Sequence, residues 1–407
     1  MALSILQEPH VVSFSKNPVI LRIHSDIDAA SPNFRINLQV AMVADFFPSG
    51  LIVVRLSEEP DATGNAEFDL SELFDSIFEQ FDPPHNAPTA IERVIRHQFL
   101  YSCRATEVFG DPPVINDTIN ISDKTAVHGG LAKELFPGNT FWQDQTNPAI
   151  LLKQFLTRCP DKKIVGPEQP EYLYYFLHDT LVSEFEVEVK VFFTDLTNQT
   201  IIAYTQAVAD FDYIWKIPCG YKQLNLAAVN PAKTVKYYEV KLNDTTPDPN
   251  SAISQTRTFV LDYKYYKTQR YIHFLNSLGG YDSFRCIGEA SLSGEYTDTF
   301  YNKLLPSDYF PYMTETGVNN TEEDLLHKLN TGMRNLAKKH LAWLRDLRLS
   351  RSVYLQVSGN ATLGFYWQPV KMTNKKLDLG STEDWTVSQN IELKALNSNV
   401  VFTPYPF

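Results

Sequence analysis

Nine histidines, four cysteines and 48 acidic side chains are the raw material for catalysis or metal binding in this chain of 407 residues. The histidines are scattered, and no HExxH places two of them on one helical face. His178, beside Asp179 after EYLYYFL, reads as a surface or packed imidazole rather than a base or metal ligand. The stretch DATGNAE, Asp61 to Glu67, offers oxygen ligands suited to calcium. It lacks the spacing of a DxDxDG loop, so a solvated hairpin loop is expected there. Glu184, Glu186 and Glu188 share the polar face of one strand and do not converge. Glycosidase carboxylates need only stand about 5–10 Å apart in a cleft, so sequence spacing cannot pick them out among 48. GxSxG, GxxxxGK[ST] and GxGxxG after a strand are absent, which removes the hydrolase, kinase and dinucleotide signatures. Cys103, Cys159, Cys219 and Cys286 contain no CxxC and read as buried free thiols. No catalytic residue, metal or cofactor is expected.

Aromatic clusters remain as chemistry for recognition. LDYKYYKTQRY carries Tyr263, Tyr265, Tyr266 and Tyr271, and tyrosine joins an apolar ring to a hydrogen-bonding tip, which suits saccharides and protein interfaces alike. Further along, Lys338, Arg345 and Arg348 form a basic segment that is either a solvated helix face or a docking patch.

The elements that must position these groups are chiefly strands. Phe34, Ile36, Leu38, Val40 and Met42 alternate with polar or small neighbours at period two, as do Phe99, Tyr101, Cys103 and Ala105. In EFEVEVKVFF, Phe185, Val187, Val189, Val191 and Phe193 share a face opposite Glu184, Glu186, Glu188 and Lys190. That charged face is expected to be solvated and to discourage edge pairing. DLSELFDSIFEQF reads as a short amphipathic helix capped by Asp69 and ended before Pro83. Val114 to Pro148 shows little periodicity and reads as a long connector. Gly279-Gly280 marks a tight reversal. TEEDLLHKLNTGMRNLAKKHLAWLRDLRLS is expected to be partly helical, led by Thr321 with Glu322 and Glu323 in the first turn.

Composition sets the frame. The net charge of −12 argues against a nucleic-acid binder. Twenty-six Phe and 21 Tyr against 17 Gly favour pleated, half-buried surfaces. The apolar runs are far short of the roughly 20 residues of a membrane helix. The opening residues lack the charged and apolar regions of a secretory signal, so export by that route is not expected. The expected fold class is mainly β: tandem antiparallel, immunoglobulin-like β-sandwiches with few short helices and one longer helical segment near the C-terminus. The expected division is 1–112, an N-terminal sandwich; 113–270, connector and second sandwich; and 271–407, an α+β domain.

Three stretches in order carry a resemblance: SFSKNPVILRIHSD with NFRINLQV; FLTRCPDKKIVGPEQPEYLYYFL; and FLNSLGGYDSFRCIGEA followed by WLRDLRLSRSVYLQV and NIELKALNS. Together they resemble structural proteins of phages and prophages of Bacteroidetes bacteria. The resemblance implies a non-catalytic virion protein of a tail, baseplate, adaptor or fibre assembly, partnered by copies of itself and by other virion proteins. It brings no catalytic residues, and the basic segment around Lys328 to Arg351 departs from it. The interface candidates are then Tyr263, Tyr265, Tyr266, Tyr271, Lys338, Arg345 and Arg348. Two rivals stay open, an adhesive module for bacterial surface polysaccharide and a polysaccharide-degrading glycosidase.

Overall fold

A computed structural model describes residues 3–27, 31–47, 49–78, 90–131, 154–178, 182–208, 213–245, 251–302, 304, 316–332, 334–335, 338–358, 365–374, 386–396 and 399–400. The protein is mainly β, with two α-helices among those residues. The chain divides into two compact units. One comprises Met1–Leu261 and Asn276–Asp282; the other comprises Asp262–Leu275 and Ser283–Phe407.

The first unit has two hydrophobic cores. In the N-terminal one, Arg35–Val43 lies between Leu51–Glu58 and Gln98–Phe109, and the sheet continues through Val114–Val127 to Val12–Phe14. The alternation expected here is met: Ile36, Leu38, Val40 and Met42 are fully buried. They share a cluster with Leu21, Ile23 and Phe68, which come from a second sheet of Ser4–Gln7, Ile20–His24 and Asn65–Asp69. Helix Ser71–Ile77 adds Phe74, whose ring sits 5.2 Å from Phe99 and 4.6 Å from Tyr101. Burying a side chain of this size stabilises the fold by roughly 1.5–3 kcal/mol. Leu70 rather than Asp69 occupies the N-cap position. Asp69 still contributes, since its Oδ1 accepts the Ser71 N–H at 2.9 Å and the Val19 N–H at 3.2 Å.

The second core is built on Glu184–Phe193, where Phe185, Val187, Val189, Val191 and Phe193 are all buried. This strand runs between Asn198–Ala207 and Val235–Asp244. It is therefore central, and its charges guard no edge. Its polar face is half-buried rather than fully solvated: Glu188 meets Lys241 at 3.2 Å and accepts from Asn243 Nδ2 at 2.8 Å, while Phe192 stacks on Tyr237. Tyr172–Leu177 is buried on both faces, which explains its unbroken apolar run. It pairs with Tyr213–Pro218, which in turn pairs with Glu92–Val94 from the N-terminal half.

The expected connector at 114–148 is corrected in its first part. Val114–Val127 is a strand of 14 residues, antiparallel to Gln98–Phe109. Its first half is largely exposed, with Ile115 at 70%, so no buried face imposes a period-two signal there. The expected boundary at 112 thus falls on the turn of this hairpin. The remainder of the connector, from 132 on, lies outside the described residues.

Two glycine pairs meet through their backbones in the first unit. Gly130 N–H donates to Ser277 O at 2.6 Å. A Cβ on Gly129 would stand 2.6 Å from Ser277 O, and one on Gly279, at φ +86°, would collide with the His128 carbonyl. Gly279 O accepts from the ring nitrogen Nδ1 of buried His97 at 2.6 Å. That bond fixes the imidazole with its proton on Nδ1. The expected reversal at Gly279-Gly280 is present, and its glycines also serve this close approach.

In the second unit the sheet order includes Arg270–Leu275, Val353–Ser358, Phe365–Met372, Asn390–Ala395, Thr316–Asn330, Ala290–Asn302. The helix expected to begin at Thr321 is corrected: residues 316–330 form a strand, and the helix is Lys338–Leu349. The TEED signature is overridden by ladder partners on both sides, with Leu329 opposite Ala290 in one neighbour and Ile391 in the other. Trp343, Leu344 and Leu347 bury the helix's apolar face, and the Trp343 ring lies 5.0 Å from Phe284 and 6.2 Å from Phe274. No helix among the described residues is long and apolar enough to cross a membrane.

Gly279→Ala should destabilise the protein by several kcal/mol, because a positive φ and a backbone collision act together. Gly50, at φ +68° with nothing within 4 Å of an added Cβ, isolates the conformational part. Gly50→Ala should cost only about 1–2 kcal/mol. Urea unfolding of both variants checks the difference.

Candidate functional site

One cluster of ionisable groups is sealed inside the first unit. Lys163 Nζ stands 2.6 Å from Glu171 Oε2, with side chains 7% and 2% exposed. Gln169 Nε2 donates to Glu171 Oε1 at 2.5 Å, and the Glu171 N–H donates to Gln223 Oε1 at 2.9 Å. Burial pushes the Glu171 carboxyl up to about 7, against the pull of the Lys163 charge. Nearby, buried Arg257 pairs with Asp161 at 2.9 Å and donates to the carbonyls of Cys159 and Pro160. Cys159 is buried and its thiol is pushed up to about 12, chiefly by desolvation, so it is held as an unreactive thiol. These groups satisfy one another's hydrogen bonds around the strand Lys162–Val165 and its partner Arg257–Leu261. Their arrangement locks the strands together. Sequence spacing gave no sign of the pair, because Lys163 and Glu171 each look like an ordinary surface charge.

All four cysteines are buried and free, as expected. At Asp61, Oδ1 accepts from Thr63 Oγ1 and from the N–H groups of Thr63 and Asn65, which hold this carboxyl below its usual range. The DATGNAE loop uses its carboxylate to close its own turn. His178 stacks on Phe176, and Asp179 lies outside the described residues.

The tyrosine cluster separates into two kinds of residue. Tyr263 and Tyr265 are exposed, at 50% and 90%. Tyr266 is partly buried; its hydroxyl donates to Asp262 Oδ2 at 2.8 Å and its ring lies under the Arg285 guanidinium at 5.3 Å. Burial pushes Asp262 up, yet the bonds from Lys264 N–H, Tyr266 and Arg285 outweigh it and hold the carboxyl below its usual value. Tyr271 is buried and its hydroxyl receives Gln269 Nε2. As surface candidates Tyr266 and Tyr271 are corrected, because both rings are spent on internal packing.

The basic segment divides likewise. Arg345 is exposed on the helix. Arg348 is buried, and donates to the carbonyls of Asn374 and Asn390, the latter at 2.7 Å. It ties the helix to the sheet and offers no docking surface. Lys338 opens the same helix.

The feature missed by sequence reasoning is Ala290–Asn302, the outermost strand of its sheet among the described residues. It runs for 13 residues along Thr316–Asn330, with a register shift between Thr299 and Phe300. Residues 291–298 are exposed throughout. Leu292, Tyr296 and Phe300 are 59%, 65% and 63% exposed, and their even numbers put them on one face of the strand. Gly294 and Asp298 stand between them, so the apolar residues recur every fourth position, and a search for period two passes over them. At the root of this strand lies a groove of about 920 Å³, lined by Lys267, Thr268, Glu289, Ser291, Lys328 and Glu392 among others.

No protein-family model matches this sequence, and a search of curated proteins finds no match.

Because burial raises Glu171 above its ordinary 4.5, this group favours folding most at low pH and loses that contribution as pH climbs towards 7. The Lys163 charge limits the loss. Lys163→Met should therefore cost on the order of 3–5 kcal/mol at about pH 8, and distinctly less at about pH 5, where Glu171 takes up a proton. Denaturant unfolding at the two pH values checks it, and adding Glu171→Gln should flatten the difference.

Proposed function

We propose that this chain is a non-catalytic assembly protein of a phage or phage-tail-like particle, a tail, baseplate or adaptor component found in the virion. On this reading its immunoglobulin-like sandwiches act as stiff blocks that dock with copies of the chain and with other virion subunits. The observation that carries the reading is the strand Ala290–Asn302, long, outermost and exposed, with a row of apolar side chains on one face. Soluble proteins blunt such edges with charge, proline or brevity unless the edge is used. Symmetric assemblies multiply one modest patch over many copies, so a single strand per chain is enough. The discontinuous resemblance to structural proteins of Bacteroidetes phages points the same way. Tyr263, Tyr265 and Arg345 remain as surface contributors.

A second reading rests on the groove of about 920 Å³, whose size suits a small ligand such as a saccharide and whose lining mixes Lys267 and Lys328 with Glu289 and Glu392. It makes the protein an adhesive module for bacterial surface polysaccharide.

Density-purified particles separate the two. Mass spectrometry of such particles should find this chain at fixed stoichiometry to the other structural proteins, and electron microscopy should place it in the particle. Absence from the particles, together with retention of the free protein on bacterial polysaccharide that weakens on Glu392→Ala, would favour the adhesive module.

A further inference from the structure

We propose that the partner of the strand Ala290–Asn302 is the same strand of a second copy, paired antiparallel about a two-fold axis at Tyr296. This deepens the assembly reading and rests on it, since it names the first partner that the exposed edge takes.

The strand is written ASLSGEYTDTFYN and Tyr296 is its middle residue. Folding the strand onto a copy of itself about Tyr296 sets Tyr296 against Tyr296 and Leu292 against Phe300, the latter twice. All these side chains fall on one face, so the join produces three apolar cross-strand pairs, set apart from one another by pairs of Gly294 with Asp298. On the same face Asp298 meets Gly294; on the other, Glu295 meets Thr297 and Ser291 meets Tyr301. No carboxylate faces another directly.

Other registers lack this match. An axis at Asp298 sets carboxylate against carboxylate, and one at Glu295 does the same, each opposed by like-charge repulsion across the ladder. An axis at Thr297 puts Leu292 against Asn302 and Phe300 against Gly294, and mixes Tyr296 with Asp298. An axis at Gly294 keeps Leu292 with Tyr296 but leaves Phe300 beyond the paired length. Apolar matching and charge separation thus select the same centre.

The stability of the hairpin supports the same occupant. Asn390–Ala395 pairs with Thr316–Asn330 only over Leu326–Asn330, and Asn399–Val400 pairs only with Glu322 and Glu323. Towards Asn302 and Thr316 the two long strands have only each other among the described residues. A two-stranded ribbon of this kind is marginal in water. Joining two ribbons edge to edge gives four strands over about 44 Å, with both outer strands of the pair turned inwards. The bulge lies on the inner strand, where Thr299 and Phe300 face Asn320 and Val318, so the outer strand keeps regular alternation for a partner.

Cysteine cross-linking of the full-length chain reads the register directly, with little background because the four native cysteines are buried. Tyr296→Cys should give a disulfide-linked dimer on mild oxidation, since opposed Cα atoms in an antiparallel pair lie within disulfide reach. Leu292→Cys or Phe300→Cys alone should give little, whereas a mixture of the two should cross-link one to the other. Sedimentation over a concentration series should show a dimer for the unsubstituted chain, weakened roughly tenfold or more by Tyr296→Lys with an unchanged circular dichroism spectrum. A chain that sediments as a monomer at every concentration, or Phe300→Cys cross-linking as readily as Tyr296→Cys, would overturn the proposal. The chain found in particles without this cross-link would leave the assembly reading standing and give the strand to a companion subunit. The cross-link without incorporation into particles would do the reverse.

Discussion

A β-strand has two faces to cover and two edges to satisfy, and nearly every feature of this protein follows from how those four sides are met. Where both edges are paired and one face is buried, as in Arg35–Val43 and Glu184–Phe193, the sequence alternates cleanly. Where both faces are covered, as in Tyr172–Leu177, the alternation gives way to a continuous apolar run. Ala290–Asn302 meets neither condition: one edge is outermost and both faces are exposed. On the proposal above, a second copy of the chain completes it.

The same accounting explains which parts of the fold could be read from the sequence. The strands at Phe34 to Met42, Phe99 to Ala105 and Phe185 to Phe193 were legible, because one-sided burial writes itself into every second residue. Val114–Val127 was not, since only its second half enters the core and its first half carries Asn, Asp and Thr to solvent. Thr316–Asn330 was misread for a different reason. Its threonine and paired glutamates resemble the start of a helix, and local preference of that kind is weak beside a neighbouring strand that supplies partners along its length and a second that pairs its last residues. Among the surface candidates, Tyr263 and Tyr265 are exposed while Tyr266, Tyr271 and Arg348 are not. Residue type alone does not tell a tyrosine that binds from one that packs, because the same ring and hydroxyl serve both. The spacing of Leu292, Tyr296 and Phe300 was visible throughout, but it gains meaning only once the strand is known to be outermost.

The buried charges follow from the edges too. Lys163 and Glu171 lie where Lys162–Val165 joins its sheet in parallel to Arg257–Leu261, and Arg257 binds the carbonyls that lead into that strand. An ion pair of this kind contributes less to net stability than to uniqueness, because its geometry admits few alternatives while an apolar pair of equal volume would slide. The free thiols, the self-closing Asp61 loop and the inward-turned Arg348 share this character. The Asp61 carboxylate and the Arg348 guanidinium thus find their partners within the fold.

The strand Glu92–Val94 pairs with Tyr213–Pro218, and His97 is held by the carbonyl of Gly279. During translation the N-terminal half therefore emerges well before the residues that finish it. Contacts so distant along the chain are slow to form, because a long loop must close before any of them is rewarded. The edge at Glu92–Val94 thus waits for residues up to 218, and the seat beside Gly129 waits for the turn at Gly279.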